Sequence, residues 1–228
     1  MTNSTVTRTV RKHSLPSLSV WGGFALALFM VPLLGFPLHA IVQPDRLPPM
    51  RLELHVHAVS SGLWFMLVIG QSFLISGRMH QLHRRLGWAS IGLALIVLTS
   101  GVMITIQFYD RTEFFAFYLG SLVSFGMFAL FFASGIIWRK RREFHRRMMI
   151  FATICLMPAA LNRFAFLLGF SPGFSGPIWI FLAMLVPIYD LLTMRRLTSA
   201  SVMAIVVWAG MIVIMGIFAG EQTLPAGR

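Results

Sequence analysis

The sequence predicts an all-α integral membrane helical bundle of about seven transmembrane helices, and three observations carry that prediction. The chain is 57% hydrophobic and only 11% charged, with a mean hydropathy of +0.78, whereas a soluble domain carries about 25% charged residues. Its apolar residues fall into seven runs, each close to the roughly 20 helical residues that cross a hydrocarbon core of about 30 Å. Its basic residues gather in alternate connections between those runs. Helices are the architecture such runs allow, because lipid leaves open backbone groups unsatisfied and the period-2 alternation of a barrel is missing.

The elements follow in chain order. Span 1, at 20–41, follows Arg8, Arg11 and Lys12. It is longer than a signal-peptide core and has no small-residue cleavage site after it, so it is expected to be retained. Spans 2 and 3, at 57–76 and 86–107, flank Arg78, Arg84 and Arg85. Spans 4 and 5, at 114–138 and 147–169, flank the densest basic turn, which runs from Arg139 to Arg147. Spans 6 and 7, at 177–193 and 199–219, flank Arg195 and Arg196. With seven spans drawn, 14 of the 19 Lys and Arg residues share one side. The positive-inside rule then makes the amino terminus cytoplasmic and the carboxyl terminus external. The net charge of +12 is accounted for by topology, which sets nucleic acid aside and leaves the lipid bilayer as the partner. Short loops predict one transmembrane domain over 20–219, with a cytoplasmic segment at 1–19 and a short outer tail at 220–228. The single cysteine, Cys155, falls within a span and has no intrachain partner for a disulfide.

Two stretches repeat a pattern of apolar span, basic turn, His-Arg-Arg and apolar span: "SGLWFMLVIGQSFLISGRMHQLHRRLGW" and "SFGMFALFFASGIIWRKRREFHRRMMI". A two-span repeat keeps its orientation in the membrane, which would put His83 and His145 at equal depth. In span 2, His57, Trp64, Gln71 and Arg78 recur every seven positions and so share a helix stripe. Lipid offers Gln71 no partner, so this stripe is expected to face inwards. In span 3 the stripe below His83 is small (Gly87, Ser90, Ala94, Gly101), which suits close helix packing or a flat ligand against the backbone.

Span 5 holds Asn162 and Arg163 where hydrocarbon is expected. His145 and Arg163 are 18 residues apart, five turns of an unkinked helix, but Pro158 removes a backbone donor between them and predicts a bend. Side chains lean towards a helix amino terminus, so Arg163 leans into the membrane and needs a partner: His57, Glu53, Asp110 or an anionic ligand. Asp190, the one acid placed inside a span, leans towards the bilayer centre in the same way. His83, His145 or Arg84 would satisfy it.

Two polar clusters result, an outer one of His39, His55, His57, Asn162 and Arg163 and an inner one of Gln71, His83, His145 and Asp190. Two histidines from different helices at one depth can hold a b-type haem through its axial positions. His83 with His145 is the first such pair, and His57 with His39 the second. The fourteen-residue spacing that stacks two haems along one helix is absent, since fourteen beyond His57 is Gln71 and fourteen beyond His83 is Val97. His55 and His57 alternate and share no helix face, so no metal site is assigned. Retinal needs a buried lysine, and Lys12 and Lys140 both lie in cytoplasmic segments.

The ordered set His57…Trp64…Gln71…Gly77-Arg78…His83-Arg84-Arg85-Leu86-Gly87, then His145-Arg146-Arg147-Met148-Met149…Arg163, then Tyr189-Asp190-Leu191-Leu192, resembles a family of bacterial multi-pass inner-membrane proteins with no established activity. The likeness covers roughly 50–200 and implies a helical bundle in the bacterial cytoplasmic membrane. The tail "GEQTLPAGR" departs from an aromatic-anchored end. A looser similarity to cytochrome b561-type bundles rests on the paired histidines. The functional expectation is a polar helical interior that binds a redox cofactor, b-type haem or quinone, for electron transfer. The alternatives are a small-molecule or proton-coupled transporter, or a structural or assembly protein of the membrane.

Overall fold

Hydropathy runs become helices in the computed structural model, which describes residues 19–47, 51–170 and 174–223. In chain order these are α1 (Val20–Val42), a short 3₁₀ turn (Pro44–Arg46), α2 (Leu52–Ser76), α3 (His80–Thr112), α4 (Phe115–Ile137), α5 (Arg142–Cys155), α6 (Pro158–Leu167), α7 (Ser175–Met194) and α8 (Ser199–Thr223). The basic cluster Arg8, Arg11 and Lys12 and the tail from 224 onwards lie outside the described residues. Six helices, α1–α4, α7 and α8, are long and apolar enough to cross a membrane. The α5–α6 pair makes a seventh span when taken as one. Large apolar side chains face outwards on all six long helices, among them Leu33, Val59, Leu95, Leu130, Leu192 and Val206. Continuous apolar surface of this kind is what lipid solvates and water does not.

Helix α3 is the largest departure in length. Its 33 residues extend past both ends of the predicted span, so the arginine-rich turn before it is reduced to Gly77-Arg78-Met79. Arg78, expected to continue the His57–Trp64–Gln71 stripe, lies beyond the end of α2. It adopts the left-handed conformation with φ of 59°, a position that closes the helix.

The centre of the bundle is α5, which packs against α1, α4, α7 and α8. Eight of its 14 residues are buried, so it has almost no lipid-facing side. Aromatic rings fill the space around it. Phe151 and Trp208 both pack on Phe131, and Trp64 meets Phe128 and Phe132 edge-on. The Trp64 indole N–H donates to Thr153 Oγ1 at 3.2 Å.

The bend expected at Pro158 is present as a break of 45° between α5 and α6. Its cause is local. Pro158 has no N–H to offer the carbonyl four residues back, and the amides of Leu156 and Met157 turn to the carbonyls of Thr153 and Ile154 at 3.1 and 3.0 Å. Side chains from other helices add donors to the carbonyls at the break, beside the Met157 amide at Ile154. Trp179 Nε1 on α7 donates to the Ile154 carbonyl at 2.7 Å, and Ser124 Oγ on α4 donates to the Cys155 carbonyl. A buried carbonyl without a partner costs about 1–3 kcal/mol, which the Ser124 bond avoids at Cys155, while Trp179 gives Ile154 a second donor. Because of the break, His145 and Arg163 lie on two helices of different direction and do not share one face.

Trp179→Phe removes one of the two donors at Ile154 and is expected to lower stability by about 0.5–1.5 kcal/mol. In a Pro158→Ala background, where the alanine restores a backbone donor, the same substitution should cost less. Thermal unfolding of the four proteins in detergent gives the coupling directly.

Candidate functional site

His83 is the fourth residue of α3 and His145 the fourth residue of α5. Each helix starts after a basic turn, so the two histidines enter the bundle at matching depth, as the repeat implies. Their rings meet edge-on, with centroids 6.4 Å apart and planes at 83°. His145 Nδ1 lies 2.8 Å from the Gly135 carbonyl on α4. A carbonyl only accepts, so Nδ1 carries the proton and Nε2 keeps its lone pair. Gly135 lets α4 pass close to α5: a Cβ there would meet the Met149 terminal methyl and stand 3.1 Å from the Met148 Cβ. Gln71 Nε2 donates to the main-chain carbonyl of His83 at 3.3 Å, tying the first turn of α3 to the end of α2. Gln71 Oε1 and His83 Nδ1 are buried and make no hydrogen bond of standard geometry.

Asp190, expected with this cluster, lies on the other side of α5. Its partner is Arg147, neither of the histidines nor Arg84. Arg147 Nε and an Nη reach Asp190 Oδ1 at 2.9 and 2.5 Å. Asp190 Oδ2 accepts from Thr198 Oγ1 at 2.6 Å and Ser201 Oγ at 2.7 Å. The second arm of Arg147 reaches Glu143 Oε2 at 2.8 Å, and its guanidinium stacks over Trp21 at 4.9 Å. Arg147 and Asp190 are 1% and 0% exposed. The geometry of a helix explains the split: residues 145 and 147 are two positions, about 200°, apart around α5 and so point to opposite sides. Beside this pair, Trp21, Glu143, Arg146, Tyr189, Thr193 and Met194 line a cavity of about 310 Å³ at the arginine-rich end.

The outer cluster also divides. His57 Nδ1 lies 3.1 Å from Ser100 Oγ, whose own proton goes to the Ile96 carbonyl at 2.6 Å. His57 therefore donates from Nδ1, and its Nε2 faces Ser61 Oγ at 3.5 Å. Its ring sits edge-on to Phe125 of α4. His39 is buried and faces Phe166 of α6 with ring centroids 6.1 Å apart, so the two histidines of the second pair look towards different helices. His55 is exposed, and Asn162 accepts from Ser175 Oγ at 2.5 Å. Arg163 meets neither His57, Glu53 nor Asp110 in a bond or ion pair among the described residues. Its guanidinium lies over Phe36 at 5.7 Å. In the small-residue stripe of α3, a Cβ on Gly101 would collide with the Phe125 ring and stand 2.9 Å from His57 Cε1, whereas Gly87 has open space beside it.

Sequence reasoning missed Arg147, Thr198, Ser201 and Trp179. Arg147 stands at the same place in His145-Arg146-Arg147 as Arg85 in His83-Arg84-Arg85, yet Arg85 is exposed. Helix periodicity measured from His145 was the one signal able to place Arg147 opposite. Among the described residues no group of three or more His, Cys, Asp or Glu is arranged to hold a metal ion. Comparison with family models, curated proteins and solved structures finds no match.

Breaking the buried pair on one side strands a charge, so Arg147→Met or Asp190→Leu alone is expected to cost about 3–5 kcal/mol, whereas the double substitution should recover much of that loss. Unfolding midpoints of the two single variants and the double variant check it.

Proposed function

We propose that this multi-pass membrane protein is an electron carrier that binds a b-type haem between His83 and His145. The observation that supports the reading is the His83–His145 geometry. The two imidazoles come from different helices and stand with centroids 6.4 Å apart, and such a pair would hold a b-type haem through one nitrogen of each ring. The Gly135 carbonyl fixes the His145 tautomer and leaves Nε2 as the atom free to ligate. Arg84 and Arg146, each next to one histidine and exposed, supply positive charge for the carboxylates of the macrocycle. Bound there, haem supplies one-electron transfer, and two histidine ligands leave it no open position for substrate. A membrane-dissolved quinone is the partner class this reading expects. The resemblance in the histidine and arginine motifs supports a bacterial inner-membrane location.

A second reading, binding or transport of a small anionic molecule, is favoured by Arg163. This cation is half-buried in the outer half of the bundle and has an aromatic ring as its contact, without an acid beside it among the described residues. An intramembrane cation in that state attracts an anionic ligand.

A reduced-minus-oxidised visible spectrum of the detergent-purified protein, taken before and after incubation with haem, separates the readings. The expected result is a b-type band that His83→Ala and His145→Ala both abolish and that His57→Ala leaves in place. A flat spectrum with no haem uptake overturns the redox reading and moves attention to Arg163. Substitutions that lower thermal stability alone, with no ligand signal in the parent, favour a structural protein.

A further inference from the structure

We infer that the turn between α2 and α3 is a binding site for the phosphate headgroup of an anionic phospholipid. The first observation is an open surface depression of about 490 Å³ lined by Arg78, Met79, His80, Gln81, Leu82 and Arg85. One part of its wall is cationic and polar and another apolar, with Met79 and Leu82 exposed beside the two arginines. That juxtaposition fits a molecule with a charged head and a hydrocarbon tail, held at the membrane rim where the transmembrane helix begins.

The second observation is the placement of counter-charge at the arginine-rich end. Two acids stand there among the described residues, Glu143 and Asp190, and both are engaged. Asp190 is held by Arg147, and Glu143 by Arg146 and Arg147. The side chains of Arg78 and Arg85 make no hydrogen bond or ion pair among the described residues, so the protein brings two guanidinium groups to one depression without neutralising them. A guanidinium pairs with phosphate through two parallel N–H bonds, and basic pockets beside transmembrane helices on the cytoplasmic side recognise anionic headgroups. The first turn of α3, which Met79 does not cap with a side-chain bond, adds unpaired amides on the same wall.

The inference is independent of haem. It is tested by native mass spectrometry of the full chain released from nanodiscs containing equal parts of phosphatidylglycerol and phosphatidylcholine. The expected result is retention of phosphatidylglycerol about tenfold above phosphatidylcholine, lost in Arg78→Gln/Arg85→Gln and kept in Arg195→Gln/Arg196→Gln. Both arginines of the depression are exposed, so the variant should keep its helical circular dichroism; Arg78→Lys/Arg85→Lys, which keeps charge but not the planar fork, should show intermediate retention. Equal retention of the two lipids, or equal loss in both glutamine pairs, overturns the site. Displacement of the lipid by millimolar inorganic phosphate would show an anion site without lipid selectivity and also overturns it.

Discussion

Lipid offers a backbone no hydrogen-bond partner, and the break between α5 and α6 is where this chain meets that constraint most directly. A proline in the middle of a span leaves a carbonyl short of its donor. Within the bundle the Met157 amide turns back to the Ile154 carbonyl, and Trp179 and Ser124 add donors from α7 and α4. The consequence is structural cooperation between helices far apart in sequence. The two bonds set the distance from α5 to α4 and α7, the direction taken by α6, and through α6 the place of Arg163 against Phe36 on α1.

The same central helix sorts the polar chemistry of the protein by its period. One side of α5 presents His145 to His83 and the Gly135 carbonyl. The opposite side presents Arg147 to Asp190, Thr198 and Ser201, which joins α5 to α7 and to the start of α8. A charged pair removed from water is stable only if its remaining hydrogen-bonding capacity is filled, and here both carboxylate oxygens and both arms of the guanidinium have partners. On the histidine side Gln71 Oε1 and His83 Nδ1 are left without well-formed bonds. One helix therefore separates a buried charged pair from a pair of histidines.

His57 illustrates how little a polar residue in a span says by itself. Its nitrogens are accounted for by Ser100 and Ser61, and its ring packs against Phe125 where Gly101 leaves room. His83 and His145, identical in residue type, stand instead at helix starts, where α3 and α5 converge from separate hairpins and the packing is open to the arginine-rich face.

The sequence by itself determined what depends on chain neighbours: the number of the spans, the arginine-rich end, the bend at Pro158, and the equal depth of His83 and His145. Hydropathy, a missing N–H and the matching register of two hairpins are local quantities, and they survive folding unchanged. Tertiary structure alone decided how each helix is rotated about its axis. That rotation placed Asp190 with Arg147 and away from His145, buried Arg147 while leaving its counterpart Arg85 in the open, and gave Arg163 an aromatic contact in place of an acid. Rotation follows from the summed packing of rings and small residues across several helices, and no single stretch of sequence carries that sum.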